Sequence, residues 1–189
     1  MSEDRASARA FVERLFALHH GEIYTFLVRM VRDDDLAADL AQETFVKAYR
    51  AFDTLEDATS ARAWLYQIAN RTALDELRRR RVIRFVPWSG ESRGAAASAE
   101  ETVLRSRLSG EMSRALAAIP ARQRSALLLA EVHELNGLEL ADALGVTHAA
   151  ARALLTRARG SLREALAFQR ATASDRRPGS ARGELEEDR

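Results

Sequence analysis

Apolar positions along this chain recur at helical rather than alternating spacing, and they do so in blocks separated by polar breaks. Ile23, Phe26, Leu27 and Met30 make a 3-1-3 stripe. After the break VRDDD, a second helix is predicted from about Asp35 to Phe52, turning Leu36, Leu40 and Phe45 inward. The loop DTLEDATS comes next, and Ser60 stands where it can cap a third helix. In that helix Trp64, Leu65, Ile68, Ala69, Ala73 and Leu77 share one side. The periodicity then lapses in VPWSGESRGAAASAEE, which gains proline, glycine and serine, and resumes with Leu104, Leu108, Met112, Leu116 and Ile119. Pro120 opens a further helix, since proline is well tolerated at a first helical position.

This pattern predicts an all-α protein built from two small helical domains. Their expected bounds are 8–84 and 103–168, joined by a flexible linker at 85–102 and followed by a disordered tail at 169–189. Hydrophobic residues make up 47% of the 189, enough for two cores. The chain has no cysteine, which excludes disulfides and thiolate metal sites. The start, MSEDRASARAFVERLF, has no signal-like apolar stretch, and no run approaches 18 apolar residues. A cytoplasmic protein without direct membrane insertion and without a cofactor is expected.

A net charge of +1 conceals a sharp partition. Between Asp53 and Glu76 acids outnumber arginines; then Arg78, Arg79, Arg80, Arg81 and Arg84 follow with no acid among them. Arg152, Arg157, Arg159 and Arg163 form a second acid-free cluster. Of 29 basic residues only Lys47 is lysine; arginine suits phosphate because its planar fork binds two oxygens at once. The second cluster belongs to LADALGVTHAAARALLTRARG, residues 140–160. Gly145 can take the positive φ of a tight turn and Thr147 can cap the next helix, which is helix-turn-helix spacing. At 100° per residue, Ala151, Leu155, Ala158 and Leu162 fall on one face and Ala149, Ala153, Thr156 and Gly160 on the other. A smooth strip between arginines allows a helix to lie deep in a major groove while guanidiniums reach phosphates or a guanine edge.

The segments LHHGEIYTFLVRMVRDDDLAADLAQETFVKAYRAF and RAWLYQIANRTALDELRRRR resemble the second conserved region of bacterial sigma factors, and Ala115 to Leu166 resemble the fourth. With a short linker between them, the chain resembles an extracytoplasmic-function sigma factor of the sigma-70 family. The resemblance implies a promoter-specificity subunit, not an enzyme. It would bind core RNA polymerase through its beta-prime and beta subunits, together with promoter DNA, and be restrained by an anti-sigma factor. It assigns Asp39, Gln42, Glu43 and Val46 to the beta-prime surface; these lie at i, i+3, i+4 and i+7 on one helix face. It assigns Asn70, Arg71, Asp75, Arg78, Arg79 and Arg80 to the minus-ten element. To the minus-thirty-five element it assigns His148, Ala149, Arg152, Ala153, Thr156 and Arg157. Trp64 and Tyr66 are aromatic groups able to stack on unpaired bases, although the spacing of Trp64 favours the core.

Two departures from the family pattern bear on specificity. The asparagine usual seven positions after the tryptophan is Arg71 here, with Asn70 before it; arginine only donates, whereas an amide both donates and accepts. Leu154 also replaces a common arginine, so base reading falls mainly to Arg152 and Arg157, with His148 a lesser contributor. Two other classes compete. A free-standing helix-turn-helix regulator explains the second half but leaves DLAQETF without a role. An enzyme finds little support in His19, His20, His133 and His148, which show neither metal spacing nor a nucleophile partner. Within EVHE, His133 is expected in a surface ion pair.

Overall fold

The computed structural model describes residues 2–55, 57, 60–83 and 110–175. The expected linker and the tail beyond residue 175 lie outside the described residues, as do Arg84, Leu104 and Leu108. Seven α-helices carry the described chain, and no strand occurs among the described residues. The first lobe comprises α1 (Ser2–Val31), α2 (Asp34–Arg50) and α3 (Ala61–Ile83); the second comprises α4 (Gly110–Ala118), α5 (Ala121–Leu127), α6 (Gly137–Leu144) and α7 (His148–Asp175).

Each lobe forms where the apolar stripes meet. Ile23, Phe26, Leu27 and Met30 are completely buried, as the 3-1-3 spacing requires. From α2 come Ala37, Leu40, Ala41, Thr44, Phe45 and Ala48; Leu36, expected inward, is only half-buried because Ala37 takes the inner position. Arg32 ends α1 in the left-handed region at φ 61°, and Asp33 then caps α2 by accepting from the Leu36 N–H at 3.1 Å. The other carboxylate oxygen of Asp33 receives Arg80 at 3.1 Å, tying the start of α2 to the far end of α3. Leu65, Ala69 and Ala73 bury the inner face of α3. Ser60 precedes α3 directly, and its hydroxyl donates backward to the Asp57 carbonyl at 2.8 Å.

In the second lobe Pro120 occupies the cap rather than the first helical position, and its carbonyl accepts from Gln123 and Arg124 at 2.9 Å. Beyond α5 the chain widens into a π-helical turn, Leu128–Val132, where the His133 N–H reaches the Leu128 carbonyl at 3.0 Å. A π turn inserts one residue relative to the α repeat and so re-aims the side chains beyond it. Glu134 closes it at φ 55°. Asn136 caps α6 in a reciprocal box with Glu139, satisfying two or more orphan N–H groups of the first turn. Gly145 ends α6 at φ 64°, and Thr147 accepts from the Ala150 N–H at 3.2 Å to begin α7, both as the turn chemistry predicts.

The two lobes pack together, with α3 lying against α6. Arg124 spans them. It is buried, and donates to the Leu116 and Ala117 carbonyls in the last turn of α4 and to the Met30 carbonyl in the last turn of α1. One guanidinium thereby caps two helices from two lobes. Burial and the neighbouring charge of Arg32 lower its pKa from the usual value.

Candidate nucleic-acid interface

Asp39, Gln42, Glu43 and Val46 are all exposed on α2, a continuous stripe facing away from the lobe core. Glu43 pairs with Lys47 at 2.8 Å, and Lys47 donates onward to Thr72 of α3 at 3.1 Å. The stripe is wider than the sequence suggested. Tyr49, the next turn after Val46, is 41% exposed, and Phe16 of α1 is 47% exposed with its ring edge-on to Phe45. Tyr49 was readable from its spacing three positions past Val46; Phe16 was not, because α1 had to be docked on α2 first.

Helix α7 has the two faces expected of it. Ala151 and Ala158 are buried, with Leu155 and Leu162 packed partly against the core. Ala149, Arg152, Ala153, Thr156 and Arg157 are exposed. Thr156 donates to the Arg152 carbonyl at 3.0 Å, so its hydroxyl lies along the helix and its methyl smooths the strip. Arg159 is occupied by Glu131 at 2.6 Å, whereas Arg152 and Arg157 have no ion pair among the described residues. His148 is also exposed, but its ring lies close over Gly137: a Cβ there would come within 2.7 Å of Nε2. An alanine at 137 would have to push this exposed ring aside.

The six residues singled out on α3 fall into two groups. Asp75, Arg78, Arg79 and Arg80 are exposed along its last turns. Arg78 pairs with Asp75 at 2.9 Å, while Arg79 and Arg80 both reach the buried carboxylate of Glu76, at 2.5 and 2.9 Å. Asn70 is only 2% exposed. Its Oδ1 accepts from the Ser125 hydroxyl at 2.7 Å and its Nδ2 donates to the Ala143 carbonyl at 3.4 Å, both across the seam between lobes. Arg71 is exposed but stands over the α6–α7 turn, 3.4 Å from where a Gly145 Cβ would be. Gln67 reaches the same turn by donating to the Asp142 carbonyl at 2.8 Å.

The aromatic residues reverse the expected order of accessibility. Trp64 is half-buried, with its indole N–H 3.4 Å from the Thr54 hydroxyl. Tyr66 is completely buried. What covers it is His133, and here the expectation of a surface ion pair is overturned. His133 is 7% exposed; its Nδ1 lies 2.7 Å from the Tyr66 hydroxyl and its ring stands edge-on to Phe26 at 5.9 Å. The π turn carried it inward, away from Glu131 and Glu134, which remain exposed. Burial, reinforced by the charge of Arg29, lowers the His133 pKa from 6.5 to about 4, so the ring is neutral near pH 7. Tyr66 also bonds Glu22 at 3.2 Å, and burial pushes its hydroxyl pKa up. Glu22 accepts from Arg62 at 3.1 Å. Burial works to raise the Glu22 pKa, but the hydrogen bond and charge of Arg62 outweigh it and leave it lowered. Among the described residues no cluster of His, Cys, Asp and Glu is placed to hold a metal ion, and no helix is long and apolar enough to cross a membrane.

The described structure therefore presents an exposed face on α7, exposed arginines at the end of α3 and a separate acidic-apolar stripe on α2. Comparison with known proteins identifies the class. Residues 15–82 match sigma-70 region 2 and residues 109–162 match sigma-70 region 4. The RNA polymerase sigma factor CarQ of Myxococcus xanthus is 33% identical over 166 residues, spanning 88% of this chain and 95% of that protein. The ECF RNA polymerase sigma factor SigM of Bacillus subtilis is 28% identical over 158 residues, 80% of this chain and 93% of that one. The solved structure of CnrH in complex with the cytosolic domain of CnrY superposes with a TM-score of 0.57 at 25% identity, covering 87% of this chain and 95% of that chain. The chain belongs to the sigma-70 family of RNA polymerase sigma factors, within its extracytoplasmic-function group. It is a promoter-specificity subunit of RNA polymerase.

Proposed function

We propose how the two lobes divide that work. The first lobe, about 8–84, docks on the beta-prime subunit through Asp39, Gln42, Glu43 and Val46. Exposed carboxylates beside an apolar residue complement a basic partner surface. The middle and last turns of α3, with Asn70, Arg71, Asp75, Arg78, Arg79 and Arg80, meet the opened minus-ten element, where guanidiniums follow the backbone of unpaired DNA. The second lobe, about 103–168, lays α7 in the major groove of the minus-thirty-five element. His148, Ala149, Arg152, Ala153, Thr156 and Arg157 form its contact face, and Arg152 and Arg157 carry base reading.

The observation that carries this reading is the outer face of α7. Its small residues are exposed, its arginines at 152 and 157 make no ion pair among the described residues, and its inner face is committed to the core. A solvated helix face would not separate small residues from flanking arginines in this way. The protein works in the cytoplasm without a cofactor and performs no catalysis of its own. By likeness to CnrH, solved in complex with the cytosolic domain of CnrY, an anti-sigma factor restrains it. The test is reconstitution: core polymerase plus this protein should give run-off transcripts from a promoter that core alone does not use. Absence of both transcript and co-elution with core would refute it. A tight shift of palindromic duplex by the protein alone would favour the free-standing regulator instead.

A further inference from the structure

Four side chains meet where the lobes close, and their hydrogen bonds form a ring. Arg62 of α3 donates to the Glu22 carboxylate at 3.1 Å and to the His133 carbonyl at 2.8 Å. The Tyr66 hydroxyl donates to Glu22 at 3.2 Å. With its one proton so used, the Tyr66 oxygen accepts from His133 Nδ1–H at 2.7 Å. In that arrangement Nδ1 carries the proton and Nε2 is bare. Nε2 is buried and has no partner. The ring spans α1, α3 and the π turn, so each of these bonds to His133 crosses from one lobe to the other.

We propose that His133 is a proton-responsive latch: neutral, it locks the second lobe over α3, and protonated, it releases the lobes from each other. A proton can add only at Nε2. There it would place a buried N–H donor without an acceptor, on a ring edge-on to Phe26, and a positive charge beside Arg62 and Arg29. The titratable and charged groups facing the site are His19, Glu22 and Arg29 from α1 and Arg62 and Tyr66 from α3, with Glu131 and Glu134 flanking it on its own segment. Glu22 is the one acid bonded within the ring, and it already accepts from Arg62 and Tyr66.

The sign comes from linkage. On closure the His133 pKa falls from 6.5 to about 4, so the closed form holds fewer protons than the open form. Closure is therefore fully supported above pH 6.5 and loses support as pH falls from 6.5 toward 4. Between pH 7.5 and 5.5 the open-to-closed ratio should rise about tenfold. The same seam buries Asn70 against Ser125, so opening frees the start of the face proposed for the minus-ten element. That consequence rests on the proposed role of Asn70; the latch itself does not.

Because the chain has no cysteine, a single introduced thiol reports opening. Ser125→Cys places it in the closed seam, and its labelling rate by a soluble disulfide reagent is proportional to the open fraction. The rate is compared with that of Ser125→Cys combined with His133→Asn, which keeps a donor near the Nδ1 position but does not titrate. The ratio of the two rates cancels the thiol's own pH dependence. It should rise about tenfold from pH 7.5 to 5.5. A flat ratio overturns the proposal. Ala158→Cys, buried on the inner face of α7, is run with the same pair of backgrounds. If its ratio rises in parallel, acid is loosening the second lobe rather than opening the seam, and the proposal is likewise overturned. Promoter activity is not part of this readout, so failure of the latch and failure of the minus-ten assignment are separable.

Discussion

Arg124→Met should be among the most damaging single substitutions available in this chain. The methionine fills much of the same volume but leaves three carbonyls without their donor, those of Leu116, Ala117 and Met30. Hydrogen bonds from a charged donor contribute about 1.5–3 kcal/mol each, and a buried carbonyl left bare costs about 1–3 kcal/mol. Against that stands the desolvation of the guanidinium, which is large enough to lower its pKa and is recovered when the charge is removed. The longest of the three contacts, 3.3 Å to Ala117, is also weak. The net expectation is a loss of about 3 kcal/mol, with Arg124→Lys losing roughly half as much because one ammonium cannot bridge two helix ends. Urea unfolding followed by helical circular dichroism reads this as a midpoint lowered by about 1.5 M. A methionine variant within about 0.5 kcal/mol of the parent would refute the reasoning. Lysine and methionine variants of equal stability would show that a charge without the bridging geometry contributes nothing at the site.

Gly145→Ala forces an L side chain to φ 64° and sets a Cβ 3.3 Å from the Gln67 amide. It should cost about 1–2 kcal/mol and lower the melting temperature by roughly 2–8 °C, and an unchanged midpoint would contradict it. Arg32→Gly should do the reverse, stabilising by about 1 kcal/mol. It relieves φ 61° and removes the like charge near Arg124; a lowered denaturation midpoint would show that Arg32 makes a compensating contact. Arg152→Ala and Arg157→Ala should each weaken holoenzyme binding to the minus-thirty-five element by about 1–3 kcal/mol and relax selectivity at one base pair. Loss that is uniform across all sequences, with a salt slope shallower by about 1, would place that arginine on phosphate instead.

The helices were legible because burial within each lobe imposes one period. Ile23, Phe26, Leu27 and Met30 needed only each other's spacing, and Gly145 and Thr147 needed only the stereochemistry of a turn. The features that escaped were set by contacts between lobes. EVHELN reads as a polar segment, and nothing in it announces a π turn, since that depends on one extra residue being accommodated by distant packing. His133 finds Tyr66 at a separation of 67 residues, and Ser125 finds Asn70 at 55. A sequence pattern of period 3.6 carries no record of such pairs. Tyr66 looked available for base stacking for the same reason: its neighbours on α3 do not cover it, and His133 does.

The partition of α3 sharpens what the closed arrangement means for promoter reading. Leu65, Ala69 and Ala73 face the first lobe, while Arg62, Tyr66, Gln67 and Asn70 bond across the seam. Those four sit at i, i+4, i+5 and i+8, one continuous helical face. Arg78 to Arg80 lie beyond the seam and are exposed, paired among the described residues only with Asp33, Asp75 and Glu76 of the first lobe. Asn70 is not: it is buried at 2% exposure between α3 and the second lobe, where Ser125 and Ala143 hold it. If Asn70 meets the minus-ten element as proposed, that binding selects the open form, and the apparent affinity is reduced to the fraction of molecules that are open. Weakening the seam at a residue that touches no DNA, as Ser125→Ala does by removing one donor, should then strengthen minus-ten binding rather than weaken it. A variant that binds the element less well, while folding normally, would show that the seam supports the reading face instead of competing for it.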